Sequence, residues 1–288
     1  MRNIFFILFF ISTFCKAQFM GQPCEVITPQ TQAVIAKMVT PVFNKQTYVA
    51  NIMIERLLSD TIFQTMDVLY CLWFQNDSDA LINFAAPSSF HASRVNFPTF
   101  TLDQGYTGNV SNHRYITTGY IPLTSSTHFQ HTNGSHGVYV RTNPDGTSTE
   151  CAAGTSNGSG SSETDNYVFP DYTGLGVLAK TCTGGGIYVS WSPANAGVDL
   201  FVIQAFNNTS TQGFENGTLK ATSSTAFHAA GGVNADEILS FNDAGVIDSY
   251  FAGQVSFRFY SGVLTLTQQV KVSNDLNFAL KMLGTNIY

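Results

Sequence analysis

The chain of 288 residues is poor in charge, because Asp, Glu, Lys and Arg together make up only 11% of it. A typical globular protein has about 25%. The 13 basic residues are outnumbered by 19 acidic ones, so the sequence offers no positive excess for holding nucleic-acid phosphates. Nucleic acid is therefore not an expected partner. Surface polarity must come from Ser, Thr, Asn, Gln and Gly, a composition that favours an exported or particle-borne protein.

The sequence also has no apolar run of the roughly 20 residues that a membrane-spanning helix needs. Its first apolar stretch, residues 4–14, follows Arg2 and precedes Cys15, Lys16 and Ala17. A basic start, a short apolar core and small residues before a cleavage point are typical of a signal peptide. We predict a signal peptide over residues 1–17, cleavage after Ala17, and a secreted, cell-surface, periplasmic or virion location without a stable membrane span.

Cysteine is scarce, and four remain after the predicted cleavage: Cys24, Cys71, Cys151 and Cys182. Four cysteines in an oxidising compartment allow two disulfides and three ways of pairing them. Cys151 and Cys182 both flank Gly- and Ser-rich stretches near predicted strand ends, so we predict that they pair. The closed loop of about 30 residues would contribute about 3–4 kcal/mol. Cys71 lies within an apolar strand, which favours a buried thiol.

Apolar periodicity predicts three helices. Residues 30–38 and 45–58 carry apolar side chains three and four positions apart, and Thr40-Pro41 separates the two segments. A third helical pattern over residues 268–283 ends at Gly284. The side chains expected to face inward from this helix are Val272, Leu276, Leu280 and Leu283.

The remainder of the chain has the pattern of a β-sandwich. Residues 67–74 are too apolar to be exposed and are predicted as a buried strand. Gly or Asn clusters then separate short β-branched and aromatic segments at intervals of about ten residues. The predicted strands cover residues 99–102, 115–120, 137–142, 150–153, 167–170, 176–180, 186–191, 198–206, 218–223, 237–241 and 254–260. Residues 151–165, rich in Gly and Ser, are predicted to form a loop after the short strand.

No internal repeat or linker divides the chain. We predict a lead with helices over residues 18–66, followed by one β-sandwich domain with a C-terminal helix over residues 67–288. Residues 98–123 alternate short extended segments with Gly-rich turns, which is typical of a corner between two sheets.

Several short motifs occur in a definite order along this domain. They are D-x-L-Y at 67–70, D-A-L-x-N at 79–83, V-N-x-P-T-F-T at 95–101, G-Y-T-G at 105–108, Y-x-x-T-G-Y-x-P at 115–122, G-V-Y-V-R-T at 137–142 and the helix at 268–284. The order resembles that of concanavalin A-like (LamG-type) jelly-roll modules of tailed-phage structural proteins and secreted bacterial proteins. The resemblance implies a mainly β fold, a two-sheet antiparallel jelly roll that is lectin-like and often without demonstrated activity.

No catalytic signature accompanies these motifs. Glycosidases on related sandwiches carry carboxylates alternating along one strand, about 5–5.5 Å apart in retaining enzymes, and no run of three occurs here. Asp77 and Asp79 form a partial match at a helix start, where capping explains them. Asp236 and Glu237 are adjacent and should point to opposite faces of a strand. We predict that the protein is not an enzyme, and an unrecognised hydrolase site is the least favoured alternative.

Metal binding is also weakly indicated. His128, His131 and His136 fall within nine residues, but strand alternation separates the first two and no carboxylate or Cys lies between them. We predict a solvated loop and no metal site there. Calcium stays open as a cofactor, with Asp103 and Asp165 as the best-placed acids, although Asp103 also suits a turn.

Sugar binding needs aromatic faces and short polar side chains, and both are plentiful here. The residues that we predict to contact a glycan are Trp191, Tyr188, Tyr172, Asn207 and Tyr106. Trp191 leads this set because it stands at a predicted strand end, and core packing is the equal alternative for it.

The favoured hypothesis is a non-enzymatic, lectin-like module, exported or carried on a virion, that binds a surface glycan or cell-surface polysaccharide. The alternative is a phage structural protein that serves assembly or decoration, contacts other virion proteins and binds no sugar.

Overall fold

A computed structural model describes residues 26–122, 124–143, 149–158, 165–183, 187–194, 198–206, 209–224 and 234–285. The predicted signal peptide, Cys24 and Asn207 lie outside the described residues. In the described part of the chain, no helix combines the length and the apolarity needed to cross a membrane.

The three predicted helices are confirmed: α1 Pro29–Ile35, α2 Lys45–Ser59 and α3 Leu266–Leu283. Capping boxes begin α2, at Asn44 with Thr47, and α3, at Thr265 with Gln268. Helix α3 ends at Gly284, whose left-handed φ of 78° suits a residue without a side chain. Strong local signals therefore set the bounds of the two longer helices.

The strands form two packed sheets, as predicted. They are β1 Met66–Cys71, β2 Ser93–Val95, β3 Thr99–Thr101, β4 Gly105–Thr107, β5 Tyr115–Thr117, β6 Gly134–Thr142, β7 Ala153–Ser156, β8 Asp165–Tyr172, β9 Gly176–Thr183, β10 Val189–Trp191, β11 Leu200–Phe206, β12 Ser210–Glu215, β13 Thr218–Ser223, β14 Glu237–Ile238, β15 Phe241–Asp243, β16 Val246–Asp248 and β17 Gln254–Gly262. The eight-stranded sheet runs β13-β12-β11-β6-β17-β4-β3, and β1 also pairs with β17. The nine-stranded sheet runs β10-β9-β8-β7-β14-β5-β2, with β15 beside β7 and β16 beside β15.

The fold is thus a mainly β, jelly-roll-like sandwich with helices added to it. Within the described residues, all strand pairings are antiparallel except that of β15 with β7. The predicted corner over residues 98–123 is present, because β3 and β4 belong to the eight-stranded sheet and β5 to the other. Gly108 lies where the chain crosses over, and a Cβ there would meet the Phe251 carbonyl oxygen at 2.0 Å.

One row of residues shows how the nine-stranded sheet faces the core. Ile116, Ile238, Ala153, Val168 and Ala179 are directly paired across five neighbouring strands. Directly opposed residues share a face of a sheet, and all five side chains are fully buried in the main hydrophobic core. This row therefore defines the inner face, and its sequence neighbours must point outward.

An ion pair joins the two sheets inside this core. Arg258 of β17 places its Nε 2.9 Å from Oδ2 of Asp236, which directly precedes β14. Both side chains are buried, and the Tyr260 hydroxyl donates to Asp236 Oδ1 at 2.8 Å. His136 Nε2 lies 2.8 Å from the Lys180 carbonyl oxygen of β9, and its Nδ1 lies 3.0 Å from Arg258 Nη1. The network therefore ties β6 and β17 to the opposite sheet.

The position of His136 corrects the predicted solvated loop. Strand β6 begins at Gly134 rather than at residue 137, so His136 lies within it and is fully buried. Burial and the Arg258 charge lower the pKa of His136 well below its usual value. A neutral imidazole fits both contacts, since Nε2–H donates to the carbonyl and Nδ1 accepts from the guanidinium.

The predicted Cys151–Cys182 disulfide is not formed. Both residues are buried free thiols, as is Cys71. Cys151 packs on the outer side of the nine-stranded sheet and Cys182 in the main core. Each Sγ lies 3.5 Å from an oxygen acceptor, the Val168 carbonyl for Cys151 and Asn166 Oδ1 for Cys182.

Candidate functional site: the outer face of the nine-stranded sheet

Two of the predicted glycan contacts are buried. Trp191 is 9% exposed, because it follows Val189 on the core-facing side of β10. Its Nε1 donates to Glu215 Oε2 at 3.2 Å, and its ring lies against Gly213. Tyr106 is fully buried, and its hydroxyl donates to the Asp77 carbonyl. Neither ring is presented to solvent, so neither forms the predicted platform.

Two other predicted contacts reach the surface. Tyr188 immediately precedes β10 and is 39% exposed. Tyr172 closes β8, is half-buried, and packs against Phe169 with 5.5 Å between ring centroids. Tyr172 thereby belongs to a group of aromatic residues on the outer side of the sheet.

The outer face is defined by a second row of paired residues, one position away from the core row. This outer row consists of Thr117, Glu237, Gly154, Tyr167 and Lys180. Strands lie about 4.8 Å apart, so the row spans about 19 Å. It places a hydroxyl, a carboxyl, an aromatic ring and an ammonium group on one side of the sheet, and all of these except the Thr117 hydroxyl belong to buried residues.

Four aromatic side chains form what we call the ring cluster: Tyr167, Phe169, Tyr172 and Phe241. Tyr167 lies 5.0 Å from Phe169 and 5.4 Å from Phe241, both edge to face, a favoured arrangement of rings. The cluster is separate from the main core, and Tyr172 and Phe241 are only half-buried. Aromatic surface is therefore available on this face.

The ring cluster explains a wrong prediction. Residues 151–165 were predicted as a loop, yet β7 lies between β8 and β14 within the nine-stranded sheet. Gly154 of β7 is needed because a Cβ there would lie 2.6 Å from Tyr167 Cβ and 3.0 Å from Phe241 Cδ2. The small residues that indicate a loop in the sequence allow two rings to pack over the strand.

A buried ion pair lies beside the ring cluster. Lys180 Nζ is 2.7 Å from Asp165 Oδ2, and both side chains are more than nine-tenths buried. The ammonium group also lies 5.5 Å from the centre of the Tyr167 ring, within the range of cation–π attraction. Lys180 is therefore held in place against the cluster.

Glu237 is the second carboxyl group of the outer face. It is 3% exposed, and its Oε1 accepts a hydrogen bond from Thr117 Oγ1 at 3.1 Å. Its Oε2 is buried, and the Asn242 side chain also hydrogen-bonds to the carboxyl group. Burial, with a smaller contribution from the neighbouring Asp236 charge, raises the pKa of Glu237 to about 9. The carboxyl group is therefore protonated at neutral pH.

A second aromatic group continues the face towards its edge. Tyr115 of β5 lies 6.0 Å from Tyr250, and His113 stacks on Tyr250 with 4.4 Å between ring centroids. Burial, followed by the Glu237 charge and then Tyr250, raises the pKa of the Tyr115 phenol. His113 is exposed and has a left-handed φ of 50°. Rings therefore lie on both sides of Glu237 along the sheet.

Other candidate sites are less well formed. A shallow cavity of about 280 Å³ is lined by Ser126, Thr127, Phe129, Gln130, His131 and Thr132; its one aromatic ring, Phe129, is buried. Among the described residues, no three His, Cys, Asp or Glu side chains lie together as metal ligands. The acids considered for calcium have protein partners, since Asp103 accepts from Gln46 and Asp165 binds Lys180.

Sequence reasoning did not single out Glu237, Tyr167 or Phe241 as parts of a site. The sequence did indicate the position of Glu237. Asp236 and Glu237 are predicted to point to opposite faces of a strand, so one of the two acids should face the core and the other the outside of the sandwich. The outward position of Tyr167 and Phe241 follows only from the pairing of β8 and β15 with β7.

Comparisons with known proteins support the fold. No protein-family model and no curated protein matches the chain. Among solved structures, it is similar to the botulinum neurotoxin serotype D binding domain, with a TM-score of 0.50 and 11% identity over 75% of this chain and 52% of that one. For domain 4 of a Geobacillus stearothermophilus GH43 arabinanase, in complex with arabinotriose, the TM-score is 0.45 and the identity is 14%, over 73% of this chain and 98% of that one. For the Ruminococcus gnavus IT-sialidase CBM40, the TM-score is 0.38 and the identity is 19%, over 49% of this chain and 83% of that one. At 11% identity, the likeness to the neurotoxin binding domain concerns the β-sandwich fold alone.

Proposed function

We propose that this protein is a non-enzymatic binding module that holds a glycan on the outer face of its nine-stranded sheet. The observation that carries the proposal is the ring cluster, whose half-buried Tyr172 and Phe241 present aromatic surface on this face, with Phe241 directly paired to Gly154 of the outer row. Aromatic faces suit the C–H surface of a sugar, and a few fixed polar groups suit its hydroxyls.

Export agrees with this function. The predicted signal peptide would bring the chain to the cell surface or the medium, where polysaccharides and glycoconjugates are found. A virion-borne module that binds a host glycan would use the same face. The low charge of the chain also suits a neutral, hydroxyl-rich ligand better than a phosphate-rich one.

The test is binding to an array of immobilised neutral and acidic oligosaccharides, with the mature chain from residue 18 as the probe. We expect wild type to bind at least one glycan class, and Tyr172→Ala to weaken that binding about tenfold, which corresponds to about 1.4 kcal/mol. Phe206→Ala is the matched control, because Phe206 is an aromatic residue of 39% exposure on the eight-stranded sheet.

The outcomes separate the two sequence hypotheses. Loss of binding in Tyr172→Ala with retention in Phe206→Ala supports the proposal. Absence of wild-type binding to every glycan at high protein concentration contradicts it and favours a structural role in assembly or decoration. Equal loss in both variants also contradicts the assignment to this face.

A further inference from the structure

We propose that the outer face has a second sugar-contacting region at its β5 edge, formed by His113, Tyr250 and Asp248, and that the whole face holds an internal stretch of a linear, neutral oligosaccharide. We call these three residues the edge site. The inference rests on the glycan-binding function proposed above, and it adds to that function a second region of contact and a class of ligand.

The edge site presents aromatic surface to solvent. His113 is exposed and Tyr250 is half-buried. Their rings are parallel within 10°, with 4.4 Å between the centroids, and Tyr115 lies 6.0 Å from Tyr250. Since Tyr250 covers one face of the imidazole, the ring surface that His113 exposes is the opposite face and the edge. An exposed ring face suits the C–H surface of a sugar.

Hydrogen bonds hold the stacked pair in place. The side-chain amide of Asn96 donates to the His113 carbonyl oxygen at 2.9 Å, and the His113 N–H donates to the Val110 carbonyl oxygen at 3.2 Å. The Tyr250 hydroxyl donates to the Ile247 carbonyl oxygen at 3.0 Å. Rings that are fixed before binding lose little conformational freedom when a ligand arrives, which favours affinity.

Sheet pairing places the edge site next to the ring cluster. Four directly paired residues connect the two across neighbouring strands, in the order Tyr167 of β8, Gly154 of β7, Phe241 of β15 and Asp248 of β16. Directly opposed residues share a face of a sheet, and at about 4.8 Å per strand this row spans about 14 Å. Burial, followed by the Asp248 charge, raises the pKa of the Tyr250 phenol. Asp248 therefore lies between the Phe241 ring and the stacked pair.

Asp248 supplies a polar contact that a ligand can reach. It is exposed, whereas Glu237 and Lys180 of the outer row are buried. Its two carboxyl oxygens can accept hydrogen bonds from neighbouring sugar hydroxyls. A negative charge at this position repels the carboxylate of an acidic sugar, and the chain as a whole has a net charge of −6. The edge site therefore suits a neutral sugar.

The open shape of the face favours the interior of a chain over its end. The two best-formed cavities among the described residues lie elsewhere, one between positions 126 and 132 and the other at the end of helix α2. Neither is lined by residues of the outer face. A linear oligosaccharide can therefore cross this surface, with one sugar on Phe241 and another on His113.

The test measures affinity against chain length and charge. The probes are cellohexaose, mannohexaose and xylohexaose, the three corresponding disaccharides, and the acidic hexagalacturonate. Isothermal titration calorimetry is carried out on the mature chain from residue 18 and on its variants. Urea unfolding confirms that each variant is folded.

His113→Asn is the main variant, because it removes the ring and Asn tolerates the left-handed φ of 50° at this position. His128→Asn is the matched control, since His128 is an exposed histidine whose backbone N–H bonds to Asp67 of the other sheet. Asp248→Asn removes the charge of the edge site, and Tyr172→Ala reports on the ring cluster.

We expect wild type to bind at least one neutral hexasaccharide at least about tenfold more tightly than the matching disaccharide, because only the longer chain reaches both regions. His113→Asn should weaken binding of that hexasaccharide about tenfold, and His128→Asn should stay within about twofold of wild type. Asp248→Asn should narrow the preference for the neutral hexasaccharide over hexagalacturonate.

Four results would overturn the inference. They are wild-type affinity in a folded His113→Asn, equal affinity of wild type for the two chain lengths, tighter binding of hexagalacturonate than of every neutral hexasaccharide, and an unchanged preference in Asp248→Asn.

These results are distinguishable from failure of the proposed function. If Tyr172→Ala loses binding and folded His113→Asn does not, the glycan site on the ring cluster stands and the edge site is refuted. If wild type binds an arrayed glycan but none of the neutral hexasaccharides, the glycan function likewise stands and the inference fails. If wild type binds no hexasaccharide and no arrayed glycan, both proposals fail together.

Discussion

Asp236 and Glu237 are consecutive residues whose carboxyl groups lie on opposite sides of the nine-stranded sheet, as strand alternation predicted. Asp236 points inward, with Oδ2 2.9 Å from Arg258 Nε. Glu237 points outward and shares a hydrogen bond with Thr117. One acid therefore serves the core and the other belongs to the candidate site, so substitutions at the two positions should have different effects.

We first predict that Asp236→Asn is strongly destabilising. It would leave the fully buried Arg258 guanidinium without a counter-charge, and breaking a buried pair from one side costs about 3–5 kcal/mol. The free energy of unfolding in urea measures the effect, with Glu237→Gln as the adjacent control. A loss below about 1 kcal/mol in Asp236→Asn would contradict a stabilising role for the ion pair that joins the two sheets.

The second prediction concerns the pH dependence of stability. Folding raises the pKa of Glu237 to about 9, while in the unfolded chain it is about 4.3. Between these values the folded protein holds the extra proton, so this group makes stability fall as pH rises, by about 1.4 kcal/mol per pH unit. Glu237→Gln has no such proton to lose.

The measurement is urea unfolding of wild type and Glu237→Gln at pH 6.5, 7.5 and 8.5. The difference in slope between the two proteins isolates Glu237, because the other titrating groups are common to both. The pKa of Asp275 is raised to about 6, and its similar effect is complete below this range. Parallel slopes for the two proteins would show that Glu237 is already ionised at neutral pH in the folded state.

The third prediction concerns the thiols. Burial raises the pKa of Cys182 to about 12 and raises those of Cys71 and Cys151 as well. Since the thiolate is the reactive form, a thiol reagent at pH 8 should not modify these three residues in the folded protein. In denaturant without reductant all three should react. If only Cys71 of these three residues reacts in denaturant without reductant, Cys151 and Cys182 are joined in a disulfide.

The fourth prediction is that Gly213→Ala displaces the Trp191 ring. A Cβ at residue 213 would lie 2.3 Å from Trp191 Cζ3, and such overpacking costs about 1–3 kcal/mol. In a Trp73→Phe background, Trp191 is the remaining tryptophan, so its emission reports the shift directly.

Gly262→Ala is the matched control for this substitution. Gly262 ends β17, and its nearest neighbour to an added Cβ is 3.6 Å away. Gly262→Ala should leave the Trp191 emission unchanged and the unfolding free energy within about 0.5 kcal/mol of the Trp73→Phe parent. A Gly213→Ala variant that behaves like this control would mean that the β12 backbone moves away at little cost.

Elements with strong local signals were predictable from the sequence. Asn44 and Gly284 mark helix ends through capping, and alternating residues over 254–260 indicate β17. These signals are local because each depends on side chains within a turn or two of the backbone. The two-sheet architecture followed from the spacing of such segments.

The candidate site was only partly predictable, because sheet register decides which way a residue points. Tyr172 and Trp191 look equivalent in the sequence, yet one lies on the outer face and the other against Gly213 in the core. Strand β7 reads locally as a loop and is formed by pairing with β8 and β14, which come later in the chain. Such information is absent from any short window of sequence.

Strand β17 pairs with β1, β4 and β6, all of which precede it by more than a hundred positions. During synthesis, those three strands leave the ribosome long before their common partner does. Until residue 262 has emerged, each has an open backbone edge, and such edges invite pairing with other chains. We therefore expect slow folding that begins only once nearly the whole domain has been made, and a need for protection of the nascent chain until then.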